Sequence, residues 1–301
     1  MSLKKLFFLN FFLTFQIFTS FLLIGYLYWE IIGMLNINTN YGAAFAAKAA
    51  KSTNSALNTS FERLSSGSRI NSAKDDAAGQ GIAGRLSAEL VSLKMASRNA
   101  SNAQSMIDTA EAAHQEVHNM LVRMREIAVQ AANGTLSTAD RTALNEEVTA
   151  LETEITAIAD NTSFAGVNLG TSTAVTFQIG TGNGDTLSHT FKDFDKTKIG
   201  ASVAVDTVTN AAAAITLLDN AISLVSTRRG ELGAVSNRLT STIANLDNIA
   251  VNLASARGRI QDTDFAQETS NLAKSQIMQQ AATAMLAQAN ASKQTVLALI
   301  Q

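Results

Sequence analysis

The chain of 301 residues has no cysteine and no proline. The first absence excludes disulfides, thiol nucleophiles and thiolate metal sites. The second removes the residue that most often breaks a helix. Aromatic residues make up 6% of the chain, and its single tryptophan, Trp29, falls in an atypical N-terminal stretch with many of the phenylalanines. The formal net charge is −2, so no general basic excess favours nucleic acid or anionic lipid. What is abundant is Ala, Ser, Thr and Asn. Such small side chains point to thin, close helix packing rather than a bulky core.

The chain is organised around Ile82 to Ala131. Steps of four and three pick out Ile82, Leu86, Glu89, Leu93, Ala96, Ala100, Ala103, Ile107, Ala110, His114, Val117, Leu121, Met124, Ala128 and Ala131. All are apolar or small except Glu89 and His114. A mean step of 3.5 keeps one stripe against a partner helix, as in a coiled coil. At 1.5 Å per residue this helix is roughly 75 Å long, and a bare stripe of that length would drive association. Asn133-Gly134 is expected to end it with a left-handed cap. A shorter stripe begins near Ser137, runs through Leu144, Val148, Leu151, Ile155 and Ile158, and stops by Asn161. A second long stripe runs from Ile215 through Leu218, Val225, Leu232, Leu239 and Leu246 to Ile260. Two long stripes and a shorter third suit a helical bundle.

The remaining segments differ. Val175, Phe177 and Ile179 alternate with polar residues, Gly180 to Gly184 turn, and Leu187, His189 and Phe191 alternate again, which reads as a β-hairpin. Leu35 to Leu64 is weakly amphipathic, with Ala50, Asn54, Leu57, Phe61 and Leu64 on one helical face, and Ser65-Ser66-Gly67-Ser68 interrupts it. Asp262-Thr263-Asp264 opens a last helix, from Phe265 to Ile300. From Ala281 that helix is apolar or small nearly all round, the pattern of a helix buried on every side. The N-terminal helix is a thin cover for it, so burial against other copies of the chain is expected.

Met1 to Gly33 is unlike the rest of the chain. Lys4 and Lys5 precede an uncharged run, Leu6 to Trp29, long enough to span a bilayer. Three readings are open: a membrane span with a cytoplasmic N-terminus, a secretory signal, or a segment absent from the mature protein, with Met34 as the true start.

Candidate chemistry is sparse. His114 and His118 are one turn apart, but Gln115 stands where a metalloprotease motif needs Glu, so His114 reads as a seam residue rather than a ligand. Asp75 and Asp76 point different ways on a helix and read as helix-start electrostatics with local pairing. Gly180, Gly182 and Gly184 lack a P-loop lysine and a following helix. Asp262 and Asp264 lack the mid-loop glycine of an EF-hand and read as an N-cap. The sequence therefore points to no enzyme, no cofactor and no metal.

Four motifs carry a resemblance to a known family. Asn36 to Asn40, with Glu62-Arg63-Leu64-Ser65-Ser66-Gly67 and Arg69 to Gly79, resembles the N-terminal signature of bacterial flagellins. Leu121 to Gly134 is similar to a second family motif. Arg259 to Ala266 and Gln279 to Asn290 are similar to the C-terminal ones. Together they span most of Met34 to Gln301, in the family's order. One departure is Lys293-Gln294, where the family often has proline.

The resemblance implies a mainly α fold: a long coiled-coil helical rod, paired N- and C-terminal helices and a small β-hairpin region. On this reading residues 34–75 and 262–301 are the paired terminal helices of a filament core. Residues 76–163 and 211–261 form the rod, and 164–210 a reduced variable region. Residues 1–33 become a misassigned start, with a real membrane-targeting extension as the alternative. The implied function is a structural subunit that self-assembles into the flagellar filament, outside the cell, exported by the flagellar type III route. The implied partners are further copies, an export chaperone, and the filament cap and hook-junction proteins. A host toll-like receptor is a further one, at the matching positions Arg123, Ile127 and Glu147. The subunit contacts expected from the terminal helices are Leu57, Phe61, Leu64, Phe265, Leu272, Ile277, Met285, Leu286, Leu297 and Leu299. Two other classes stay open: a hook–filament junction protein, and a membrane-anchored coiled-coil protein using Leu6 to Trp29.

Overall fold

The computed structural model describes residues 39–298, with side chains described as far as residue 294. The apolar leader, the first part of the start motif and Leu299 lie outside the described residues, and Leu297 is described only as part of its helix. In chain order the elements are α1 (Tyr41–Ser66), α2 (Ala77–Ala131), α3 (Thr138–Asn161), β1 (Ser163–Phe164), β2 (Val167–Asn168), β3 (Ala174–Gln178), β4 (Thr186–Thr190), α4 (Lys196–Ile199), α5 (Val208–Gln261) and α6 (Phe265–Ala298). They divide into two compact units. One is Asp76–Gln261; the other comprises the described parts of Met1–Asp75 and Asp262–Gln301.

Within Asp76–Gln261, α2 and α5 have 55 and 54 residues, roughly 80 Å each at 1.5 Å per residue. Cross-helix pairs fix their antiparallel register: Ser97 with Asp247, Gln104 with Thr240, Glu111 with Arg229 and Arg125 with Asp219. From Leu93 to Ala131 every expected stripe position of α2 is buried. On α5, Leu218, Val225, Leu232, Leu239 and Leu246 are buried at heptad spacing, while Ile215, Ile222 and Ile243 are half-buried. This is the seam geometry of a coiled coil.

The N-terminal end of the α2 stripe departs from expectation. Ile82 and Glu89 are exposed, and Ala83 and Leu90 take the buried places one residue on. The shift replaces a carboxylate by leucine in the seam, which avoids burying an unpaired charge.

The packing thickens along the pair. Around Leu93, Ala96 and Leu246 only α2 and α5 contribute to the core. Further along, Leu169, Leu187 and Phe191 add a cover over Ala103, Ile107 and Leu239. At the other end α3 and the segment containing Phe194, Ile199, Ala201 and Val205 close a fuller core around Leu121, Met124 and Leu218.

The end of α2 is also a correction. Its cap, Ala132, is right-handed at φ −68°, and neither Asn133 nor Gly134 has positive φ. A left-handed cap is unnecessary because Arg141 of α3 reaches back. Its Nε donates to the Ala131 carbonyl at 2.9 Å and its Nη2 to the Asn133 carbonyl at 2.9 Å, satisfying acceptors that a glycine cap would otherwise serve. α3 itself starts with a capping box between Ser137 and Asp140.

The hairpin forms as expected, and its register sets Val175 opposite His189 and Phe177 opposite Leu187. Val175, Phe177, Leu187 and His189 face inward, and the threonines face outward. A second, two-residue pairing, β1 with β2, has no counterpart among the elements expected from periodicity. It turns through Ala165 and Gly166, both at positive φ (50° and 84°), the requirement of a tight hairpin turn.

Candidate assembly surface

The two chain ends pair as antiparallel helices. Asn40 caps α1 by accepting from the Ala43 amide and donates across to the Ala289 carbonyl at 2.9 Å. At the opposite end of α1, Arg63 lies 3.7 Å from the buried carboxylate of Glu268. α1 ends on Gly67, left-handed at φ 69°, and Ser68 bridges to Asp262. The Thr263 amide donates to the Gly67 carbonyl. Asp264 accepts from the Ala266 and Gln267 amides, so it is the N-cap of α6.

The residues between these helices are mostly small or polar, with four half-buried leucines among them. On α1 the covered positions are Ala43, Ala46, Ala50, Thr53, Leu57, Ser60 and Leu64; on α6 they are Glu268, Leu272, Ser275, Gln279, Ala282, Leu286 and Ala289. The α1 face is rotated from the one expected: Asn54 and Phe61 lie outside it and Thr53 and Ser60 inside. Small side chains let the backbones approach closely, and a phenylalanine in the seam would hold them apart.

The aromatic side chains and several other large apolar ones point outward. Tyr41 is 70% exposed, Phe45 73%, Phe61 50%, Phe265 55%, Ile277 66% and Met285 53%, with Met278 beside them. Of the residues expected to make subunit contacts, Phe61, Phe265, Ile277 and Met285 are therefore free outward, whereas Leu57, Leu64, Leu272 and Leu286 are half-buried in the pair. Sequence reasoning missed Tyr41 and Phe45, which periodicity identifies only once the seam is known.

Arg123, Ile127 and Glu147 are near one another but not equivalent. Arg123 of α2 donates from Nε at 3.0 Å and Nη2 at 2.8 Å to one oxygen of Glu147 on α3, and from Nη1 at 3.2 Å to Glu126. These hydrogen bonds hold the guanidinium pKa above its ordinary value, Glu147 contributing most. Both Arg123 and Glu147 are exposed. Ile127 is 1% exposed and belongs to the core beneath them.

The remaining candidates have structural roles. Asp76 caps α2 by accepting from the Gly79 amide at 2.8 Å. Asp75 accepts from the Asn71 and Ser72 amides, and the Ser72 amide, then that of Asn71, keeps its carboxyl below the usual range. His114 is 2% exposed, 4.5 Å from the Phe194 ring. Its Nδ1–H donates to the Ala110 carbonyl at 2.8 Å, and its Nε2 has no partner among the described residues. Burial pushes its pKa down. Glu116 is exposed on another face of α2. The glycine-rich hairpin turn folds around Asp185, which accepts from the Gly182 amide at 2.8 Å.

Fold and surface together define a class: a helical structural protein with apolar side chains directed outward on its paired chain ends. A family model described as the bacterial flagellin N-terminal helical region matches residues 37–172, and one described as the C-terminal helical region matches residues 215–300. A flagellin of Halalkalibacterium halodurans is 42% identical over 246 residues, covering 80% of this chain and 90% of the relative. Polar flagellin F of Vibrio parahaemolyticus is 33% identical over 374 aligned positions, covering 88% of this chain and 99% of the relative. That alignment is longer than this chain, so the relative carries sequence without a counterpart here. A solved structure of a putative flagellar hook-associated protein from the same species has a TM-score of 0.54 at 16% identity, covering 62% of this chain and all of that one, and shares the fold. The chain belongs to the bacterial flagellin family. It is a structural subunit of the flagellar filament, the extracellular assembly that serves motility.

Proposed function

We propose that the terminal helix pair is the assembly element of this subunit, and that copies of the chain complete its packing. The observation that carries the proposal is the outward set Phe45, Phe61, Phe265, Ile277 and Met285 on a pair whose own seam is mostly small or polar. Covering such side chains contributes about 25 cal/mol per Å² of apolar area. Repeating one heterologous contact without closure yields an open helical polymer. Leu57, Leu64, Leu272 and Leu286 act by holding the pair together; Leu299 and the side chain of Leu297 lie outside what the structure describes.

The same apolar surface accounts for further partners of the chain ends. Before assembly α6 needs a cover, the role of an export chaperone during passage through the flagellar type III route. The ends of the polymer meet the filament cap and the hook-junction proteins. A host toll-like receptor would meet the exposed Arg123–Glu147 pair, with Ile127 supporting that surface from below. The hook-junction reading of the chain itself has only the shared fold in its favour, and the membrane-anchored reading rests on the leader, outside the described residues.

The test is polymerisation of the purified full chain beside a variant lacking Asp264 to Gln301, followed by electron microscopy. Long filaments from the full chain and none from the truncated one are expected. A full chain that stays monomeric at high concentration with both end helices ordered would overturn the proposal.

A further inference from the structure

The sequence contains two Asn-Gly pairs, Asn133-Gly134 and Asn183-Gly184, and their surroundings differ sharply. Asn133 is held at every polar group of its backbone and by its side chain. Its Oδ1 accepts from the Thr135 amide at 3.1 Å and its amide donates to the Gln130 carbonyl at 3.2 Å. Its carbonyl accepts from Arg141 at 2.9 Å and from the Leu136 amide at 3.4 Å.

Asn183 sits at the exposed tip between β3 and β4. The turn is anchored on both sides of it. Gln178 donates to the Gly182 carbonyl at 2.8 Å, Asp185 accepts from the Gly182 amide at 2.8 Å, and the Thr186 amide donates to the Gly184 carbonyl at 2.8 Å. Among the described residues, neither the Asn183 side chain nor the Gly184 amide has a hydrogen-bond partner. Gly184 is at φ 93°, and, as at Gly134, no neighbouring atom lies within 4 Å of where a Cβ would stand.

We infer that Asn183 is a site of spontaneous deamidation and backbone isomerisation in this protein, and that Asn133 is protected from it. The Gly184 nitrogen, losing its proton to solvent base, forms a bond to Asn183 Cγ. The Cγ–Nδ2 bond breaks and ammonia departs, having taken up a proton, which leaves a five-membered imide. Water then adds to either imide carbonyl, giving aspartate or isoaspartate, with no change of oxidation state. At neither glycine does a side chain obstruct the approach, and among the described residues neither glycine amide is held by a hydrogen bond, so the two pairs differ at the asparagine. At Asn133 the side-chain amide must first leave Thr135, and the backbone must leave Gln130 and Arg141. Fewer approaches reach the reacting geometry there, and such restrictions are strongly rate-limiting.

The product places a carboxylate two residues from Asp185, and the isoaspartyl form inserts a methylene into the main chain of the turn. Aged copies would therefore present a more negative and loosened hairpin tip. This inference does not depend on the assembly proposal.

The experiment incubates the full folded chain in mildly alkaline buffer and follows the peptides containing Asn133 and Asn183 by mass spectrometry. Fragmentation that distinguishes isoaspartate, and an isoaspartyl carboxyl-methylation assay, identify the product. A parallel sample in urea supplies the reference with the structure removed. Deamidation at Asn183 exceeding that at Asn133 by about tenfold or more in the folded chain, converging in urea, is expected. Equal rates in the folded chain, faster loss at Asn133, or a ratio unchanged by urea would overturn it.

Discussion

Between α2 and α5 the seam fully buries Leu218, Val225, Leu232, Leu239 and Leu246; between α1 and α6 the buried or half-buried positions are Ala46, Thr53, Ser60, Gln279 and Ala282, with Leu57, Leu64, Leu272 and Leu286 only half-buried. Both pairs are antiparallel helices from one chain, with covered positions at steps of three and four. They differ in where the large side chains go. Fully burying a leucine or valine contributes about 1.5–3 kcal/mol, so the long pair gains its cohesion internally. The terminal pair keeps most of that surface in water until something covers it. A heptad pattern thus marks a helix pair without saying whether it is a finished core. How completely the large side chains are covered decides that.

A deletion and three substitutions put this contrast at risk. Removing Asp264 to Gln301 takes away half of the terminal pair, and filament formation should vanish while the thermal transition of Asp76–Gln261 stays in place, as followed by circular dichroism. Leu239→Ala, in the long seam, should destabilise the monomer by about 2–5 kcal/mol in urea titration. Arg141→Met removes the back-reaching cap of α2 and should cost about 1.5–3 kcal/mol. By contrast Met285→Ser, on the outward face of α6, should move the monomer's transition by less than about 0.5 kcal/mol yet slow polymerisation. Were Met285→Ser to destabilise the monomer as much as Leu239→Ala, the contrast would not hold.

His114 supplies a pH-dependent test of the long seam. Its folded-state pKa lies below the ordinary value, so the unfolded chain binds more protons as pH falls through about 6.5. Stability should be full above that pH and decline as the solution is acidified toward the lowered folded-state value. The groups around it are Glu111 on its own helix and Arg228 and Arg229 on α5, the last two disfavouring an imidazolium. His114→Leu should flatten this decline and stabilise the neutral-pH protein by about 1–3 kcal/mol, since a buried nitrogen without a partner is removed. Urea midpoints across the pH range would show it, and an unchanged slope would rule out His114 as the group responsible.

Much of the long seam was legible from periodicity, because Leu93 to Ala131 and Leu218 to Leu246 bury apolar or small residues, His114 excepted, at one spacing. The hairpin was legible for the same reason at period two. The slip at Ile82 and Glu89 was not, since a period finds a stripe but a buried carboxylate is decided by its surroundings. The α1 face was misjudged because counting apolar residues favours Phe61, while close backbone approach favours Ser60. The cap by Arg141 was invisible because its partners, Ala131 and Asn133, precede it across a turn whose path only the fold defines.

Residue order and spacing were enough to mark the long helices, the β3–β4 hairpin and most of the long seam, and the quoted motifs carried the resemblance to a filament-forming family. Other outcomes needed the folded chain: which face of each terminal helix is inward, that Ile127 lies beneath Arg123 and Glu147, and that one Asn-Gly pair is restrained while the other is free. They depend on distances between groups far apart in the chain, and a linear pattern carries no distances.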